Sequence, residues 1–464
     1  MSANAHKAVD TIQQRLTDYA CRLEFRDLTP EAVHAAKVRI IDTLGALIGG
    51  FFGEPCRIAR NLAAQAPDPA GATVIGTRMK TSPDMAAFTN ATTSRYIELM
   101  DSYHWPGSLT GHASDTTTPV LAAAEHAHAD GRKFMTGVVL SYEVFLRFCD
   151  ALHDMSFDNT NFACLGTAIA AGKMFDLSAP QLAHCISMAV VPNNVLRQVR
   201  TGHLSMFKAA APGQAGRAGV FAALLARAGM EGPHLPFEGK AGWCDHVAKE
   251  RFSLDVMGGG NTPYKIQHTQ IKLRPASGET TAPIMAAEKI APLANINDVK
   301  QVRIELYKKA FQFSGTGAHQ LNPDSRETAD HSTPYVVAAT LIDGTISARS
   351  FSESHLWDPA LRTLLAKTEV SENPEFTDAY ERLPQEHHAR VTVLLHNGQT
   401  LVGKSGGGSE DQAAPKSDAQ ITDKFRSLTE DVLGAKRVSN VLDRLWHLDD
   451  MKDVGEIPRL LVIA

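Results

Sequence analysis

Residues 134–152 read FMTGVVLSYEVFLRFCDAL. Large apolar side chains recur every three to four positions and cover such a helix on nearly every side. A helix of that kind packs inside other helices rather than along a solvent face. Residues 32–47, 118–128, 166–175 and 213–228 share the texture, with Gly, Pro, Asp or Ser at the breaks. The first 230 or so residues therefore predict a broad helical bundle, not a strand-based domain.

The texture changes near residue 265. Residues 299–307, VKQVRIELY, alternate like a half-buried strand, and residues 389–402, ARVTVLLHNGQTLV, read as two strands joined at Asn397-Gly398 in a type I′ turn. Helical stretches at 332–342 and 359–367 lie between them. Glycines 406–408 mark a mobile loop, and residues 418–447 return to amphipathic helix. The expected organisation is a mostly α chain: a large all-helical domain over 1–267, a smaller α+β lid domain over 268–404, and C-terminal helices over 405–464 that rejoin the first domain.

Composition narrows the function. The chain has 464 residues, 44% of them hydrophobic and 21% charged, with a formal charge of −5. That is the profile of a globular protein and offers no handle for nucleic acid or an anionic membrane. Six cysteines without any CxxC spacing argue against structural zinc and suggest a reduced, cytoplasmic setting. The glycine runs at 258–260 and 406–408 lack a following Lys-Ser/Thr. No GxSxG, HExxH or dinucleotide fingerprint is present.

Three clusters carry potential chemistry. Residues 95–118, RYIELMDSYHWPGSLTGHASDTTT, bring Glu98, Asp101, His104, His112 and Asp115 into one window. Glu98 and Asp101 would share a helix face if the helix reaches them, and the Pro106-Gly107 loop could swing His112 back toward both. The alternative is a charged helix end with a cap at Ser114 or Asp115. Residues 196–208, LRQVRTGHLSMFK, gather Arg197, Arg200, His203 and Lys208; residues 265–275, KIQHTQIKLRP, gather Lys265, His268, Lys272 and Arg274 where the two textures meet. Each could be a solvated basic face. Together, beside the acidic window at a domain junction, they suit a substrate with several carboxylates.

These segments resemble the MmgE/PrpD family, which includes 2-methylcitrate dehydratase and cis-aconitate decarboxylase. KVRIIDTLGALIGG at 37–50 is similar to its opening helix, and residues 95–115 to its active-site stretch. Residues 204–243 are similar to its lysine-bearing helix and Phe-Glu-Gly turn, 264–275 to its second lysine segment, and DSRETADHSTPYVVAATLIDG at 324–344 to a segment carrying a site tyrosine. The resemblance implies a helical domain with an α+β lid, a homodimer, no metal or organic cofactor, and a hydro-lyase acting on a hydroxy-polycarboxylic acid in propionate catabolism. Other activities compatible with it are decarboxylation of the cis-aconitate type and epimerisation. A non-catalytic metabolite-binding member is a further alternative. It points to Asp101, His112, Lys208, Lys272 and Tyr335 as catalytic, with Glu98, Arg197, Arg200, His203 and Arg274 contacting substrate. Tyr335 comes from the resemblance alone; within an apolar helix it would otherwise read as a core residue. Three departures stand out: Glu98 replaces the family's leading aspartate, Ala113 follows His112 in place of proline, and residues 157–162 lack the histidine of decarboxylase-like members.

Overall fold

The computed structural model describes residues 9–153 and 156–463. Among the described residues nine helices build the first part: α1 (Thr11–Arg22), α2 (Pro30–Gly50), α3 (Glu54–Ala63), α4 (Pro83–Arg95), α5 (Thr117–His126), α6 (Gly131–Ala151), α7 (Thr160–Met174), α8 (Ala179–Val190) and α9 (Phe207–Arg227). Local chemistry sets their starts. Thr29 and Asp130 accept backbone N–H bonds from Ala32 and Lys133, capping α2 and α6, and Pro30 fits the first turn of α2. As its pattern requires, α6 is buried from Phe134 to Cys149 on almost all sides, and it carries one buried charge, Glu143. That carboxylate takes Arg147 at 2.7 Å and the backbone N–H groups of Gly258 and Lys265 at 2.5 and 2.7 Å. It thereby pins the irregular segment that leads to Lys272.

Small residues let α9 lie at the centre. A Cβ on Gly213 would stand 2.2 Å from Thr92 Oγ1 and 2.6 Å from the Phe88 carbonyl of α4, one on Gly216 would meet Pro119 of α5 at 2.4 Å, and one on Gly219 would meet the Cys164 carbonyl of α7 at 2.6 Å. Glycine at these three positions lets α9 approach the backbones of α4 and α7 and the Pro119 ring of α5. The expected all-helical character needs one correction. Pro67–Thr73 (β1) pairs with Lys80–Thr81 (β2) in a two-stranded ribbon. Neither strand alternates in hydrophobicity, so no period-two signal announced it. The ribbon is held by Glu125, which accepts from Thr73 N and Oγ1 at 2.8 and 2.6 Å.

A second hydrophobic core gathers residues between Ala276 and Val393. Its sheet has the order β4-β3-β5-β6, with β3 Val299–Leu306, β4 Thr368–Glu372, β5 Ala389–Leu395 and β6 Thr400–Ser405; β3 runs parallel to β4 and antiparallel to β5. The β5–β6 connection differs from the expected type I′ turn. Leu395 pairs with Gln399, and of the intervening residues only Gly398 has positive φ, at +87°. This is a three-residue loop with glycine at its left-handed position. Helix α10 (Gly278–Glu288) packs on this sheet so closely that a Cβ on Gly403 would fall 1.9 Å from the Ala286 carbonyl. The sheet thus fixes where the N-terminus of α10 points.

Residues 418–447 form two helices. Gly434, at φ +81°, separates Asp418–Leu433 from Ala435–Trp446. Ile421, Phe425, Val438 and Leu442 join the core of the first nine helices. Lys424 reaches Asp42 of α2 and donates to the Leu99 carbonyl at 2.8 Å. The glycine-rich segment expected to be mobile is tied down at Asp411, which bonds His387 N and Nδ1 at 2.6 and 2.8 Å. No helix among the described residues is long and apolar enough to cross a membrane. Gly213→Val should cost about 1–3 kcal/mol by forcing α4 from α9; urea unfolding with an unchanged midpoint would contradict this packing account.

Candidate active site

Helix α4 ends at Arg95, before the two acidic residues expected to share its face. Glu98 lies beyond it at φ +52°, a strained conformation for a residue with a Cβ. The turn folds its carboxylate back onto Arg95, Nη1 to Oε2 at 2.6 Å. Lys272 Nζ approaches Oε1 at 3.1 Å and also donates to the Glu98 and Ala276 carbonyls at 2.6 and 3.0 Å. Lys208, in the first turn of α9, places Nζ 3.3 Å from Glu98 Oε2, 2.9 Å from Asp330 Oδ1 and 3.2 Å from His331 Nδ1. All but the partly exposed His331 are buried. Burial alone would raise the Glu98 pKa, but Arg95, Lys272 and Lys208 overcome it and hold the carboxyl well below its usual range. Burial also pushes Lys272 down, against the pull of Glu98.

One oxygen each from Glu98 and Asp330 and a ring nitrogen of His331 lie close enough together to suggest a cation site. The Lys208 ammonium already stands within 3.3 Å of an atom of each, so these residues solvate a lysine and leave no room for a metal ion between them.

A cavity of about 190 Å³ opens beside this cluster, between the helical part and the N-terminus of α10. Arg95, Glu98, His112, Lys208, Arg197 and Arg200 line it. His112 is held through Nδ1, 3.0 Å from the Asp101 carbonyl oxygen. A carbonyl can only accept, so Nδ1 carries the proton and Nε2 is left with its lone pair. Burial, reinforced by Arg95, keeps the His112 pKa well below 6.5 and the ring neutral at pH 7. Asp115 is the counterpart: burial lifts its carboxyl to about 7 although Arg95 pulls it down. Neither Ser114 nor Asp115 caps α5, which begins at Thr117 after a short Ala113–Thr116 turn.

Several expected site residues stand elsewhere. Asp101 offers His112 its backbone only, and its carboxylate turns to the far side, 3.9 Å from Arg39. The chain turns sharply between Glu98 and Asp101, so the i, i+3 pairing fails. Tyr335 does not line the cavity. It is buried on the Thr333–Asp343 helix, donates to the Ser350 carbonyl at 2.6 Å and stacks on Phe351, and burial pushes its pKa up. His203 lies exposed against Asp324 at 2.8 Å. Arg274 is held by both oxygens of Glu288. Arg197 and Arg200 do face the cavity, backed by Asp158 at 3.7 and 2.9 Å.

His104 of the acidic window lines the cavity too, although no role was expected of it; Asn159, Glu279, Lys309 and His331 were not among the expected residues. His331 sat inside a quoted segment, and a search for every imidazole beside an acidic residue would have found it. Glu279 and Lys309 come from the sheet-bearing part, 167 or more residues beyond His112 in sequence, and only packing brings them in.

The charge balance of this region is uneven. Arg95, Lys208, Lys272 and Arg326 face Glu98, Asp330 and Asp115, the last 3.6 Å from Arg95 with its carboxyl lifted to about 7, and Arg326 reaches Asp330 at 3.5 Å. A largely buried excess of positive charge calls for an anion.

Residues 14–255 match the MmgE/PrpD N-terminal domain and residues 275–448 the MmgE/PrpD C-terminal domain. The chain belongs to the MmgE/PrpD family. Among its relatives are human cis-aconitate decarboxylase, 25% identical over 95% of this chain and 92% of that protein, and the 2-methylcitrate dehydratase of Cupriavidus necator, 25% identical over 84% of each. The mitochondrial 2-methylcitrate dehydratase of Yarrowia lipolytica is 24% identical over 86% of this chain and 80% of its own length. MmgE/PrpD relatives of both activities are thus equally distant from it.

Two imidazoles, the buried His104 and the half-buried His112, make stability depend on pH. His112 is held well below 6.5, and His104 is lowered to about 3 by burial, against the pull of Glu279. Histidine in the unfolded chain titrates near 6.5, so below that pH the unfolded state takes up protons the folded state refuses, and stability falls; above it nothing changes. Replacing His112 by Gln should remove about 1.4 kcal/mol per pH unit of that loss. The check is wild type minus variant in urea unfolding at about pH 7.5 and about pH 5.5. A difference independent of pH would contradict a neutral His112.

Proposed function

We propose that this protein is a lyase that removes water from a hydroxy-polycarboxylic acid, a dehydratase of the 2-methylcitrate type. The observation that carries the reading is the neutral His112 with a bare Nε2 at a cavity lined by Arg95, Arg197, Arg200 and Lys208. The cations hold the carboxylates and lower the cost of negative charge on an enolate-like intermediate. A bound polyanion also raises the proton affinity of His112, because it offsets the Arg95 charge that depresses it.

In this mechanism His112 Nε2 takes the proton from the carbon next to a carboxylate. The hydroxide leaves from the neighbouring carbon with a proton from Lys208 Nζ, and the products are water and the alkene. Lys208 is recharged through His331, 3.2 Å away. Tyr335, the other candidate acid, is too deep in its own core to take part. Lys272 supports the site by holding Glu98.

The second reading is decarboxylation of an unsaturated tricarboxylate, favoured by the decarboxylase relatives that span nearly the whole chain. The same base and cations would serve, with carbon dioxide lost in place of water.

Proton NMR in deuterium oxide with 2-methylcitrate, citrate and cis-aconitate separates the two. The expected result is a vinylic product from 2-methylcitrate without carbon dioxide, abolished in His112→Ala. Tyr335→Phe should keep the rate within about twofold and lose about 1 kcal/mol of stability with its hydrogen bond. Itaconate-like product from cis-aconitate would favour decarboxylation, and a Tyr335→Phe enzyme without activity would return that phenol to the site.

A further inference from the structure

Asn159 occupies the N-cap position of α7, where an asparagine ordinarily turns its side-chain oxygen onto the first backbone N–H groups of the helix. Here it makes no cap. Asp158 does that work, with Oδ1 accepting from Thr160 N at 3.1 Å and Thr160 Oγ1 at 2.8 Å. Asn159 instead donates Nδ2 to the Thr110 carbonyl at 2.8 Å. A carbonyl cannot donate, so this bond fixes the amide orientation and leaves Oδ1 as the free end. Asn159 is 4% exposed, it lines the cavity, and Oδ1 has no hydrogen-bond partner among the described residues.

Next to it, Asp158 Oδ2 fixes Arg200 through Nε at 2.9 Å. Arg200 also lines the cavity, and its buried Nη2 likewise has no partner among the described residues. A buried acceptor and a buried donor left unmatched cost about 1–3 kcal/mol each. Both are positioned through neighbouring residues, Asp158 and Asn159, at the start of one rigid helix. Arg95, Arg197, Lys208 and Lys309 in the same lining are cations suited to carboxylates. A bare amide oxygen suits a hydroxyl.

We infer that Asn159 and Arg200 form a hydroxycarboxylate subsite: Arg200 Nη2 donates to a substrate carboxylate, and Asn159 Oδ1 accepts the hydrogen of the substrate hydroxyl. The inference rests on the reading of the cavity as a polycarboxylate site and deepens it. It makes Asn159 the residue that separates a hydroxy acid from the same skeleton without the hydroxyl. A site built to bond a hydroxyl rejects the analogue that lacks it, because its own acceptor is then left unpaired.

The test compares citrate with propane-1,2,3-tricarboxylate, which differs only by that hydroxyl, using calorimetric titration of the full chain and of Asn159→Ala. The wild type should bind citrate at least about tenfold more tightly. In Asn159→Ala the ratio should fall to near one, with affinity for the deoxy compound unchanged and the thermal melt confirming a folded protein. Equal wild-type affinities would overturn the inference without any variant, as would a ratio that survives Asn159→Ala. If neither compound binds, the polycarboxylate reading falls and takes the subsite with it.

Discussion

Glu98 is the point on which the rest of the site depends. Its carboxylate is shared by Arg95 from α4, Lys208 from α9 and Lys272 from the segment entering the second core. Lys208 in turn bonds Asp330, which belongs to the sheet-bearing part. Two buried anions and three buried cations thus link four stretches of chain far apart in sequence. Taking such charges out of water is costly, and losing any member would strand the others, so the cluster tolerates little rearrangement. The φ of +52° at Glu98 is consistent with that constraint. The surrounding packing holds the residue in a conformation it would not choose alone.

The same cluster connects fold to chemistry. Glycine contacts along α9 bring Lys208 to depth, Glu143 anchors the segment that delivers Lys272, and close packing of α10 on β6 sets the far wall of the cavity. Because the cations outnumber the carboxylates, the folded protein carries buried positive charge that a polyanionic ligand would neutralise. His112 belongs to this balance: burial and Arg95 keep its ring neutral, and the Asp101 carbonyl decides which nitrogen is bare. A base that gains strength only when an anion is bound is well placed to act on that anion.

Much of this was readable in the chain, for identifiable reasons. Helices such as α6 and α9 announce themselves through periodicity, because burial on all sides leaves few ways to write them. Glu98, His112, Lys208, Arg197 and Arg200 drew attention by charge in an uncharged neighbourhood, and the structure brings them to one cavity, with Lys272 directly behind Glu98. Asp101 misled because the helix ends at Arg95, and a helical spacing argument loses its force once the backbone turns. Tyr335 rested on resemblance, and its apolar surroundings described its environment better. Asn159 gave no signal: an asparagine before a helix reads as a cap, and only the structure shows that Asp158 caps instead. Glu279 and Lys309 depend on contacts between the two cores, which local sequence does not encode.

Nitrogen-15 NMR of histidine-labelled protein tests the central claim most directly, with His112→Gln used to assign the signal. At neutral pH the account predicts a neutral His112 ring protonated at Nδ1 and bare at Nε2, moving toward the imidazolium when citrate is added. A ring already charged in the free protein, or one protonated at Nε2, would contradict it.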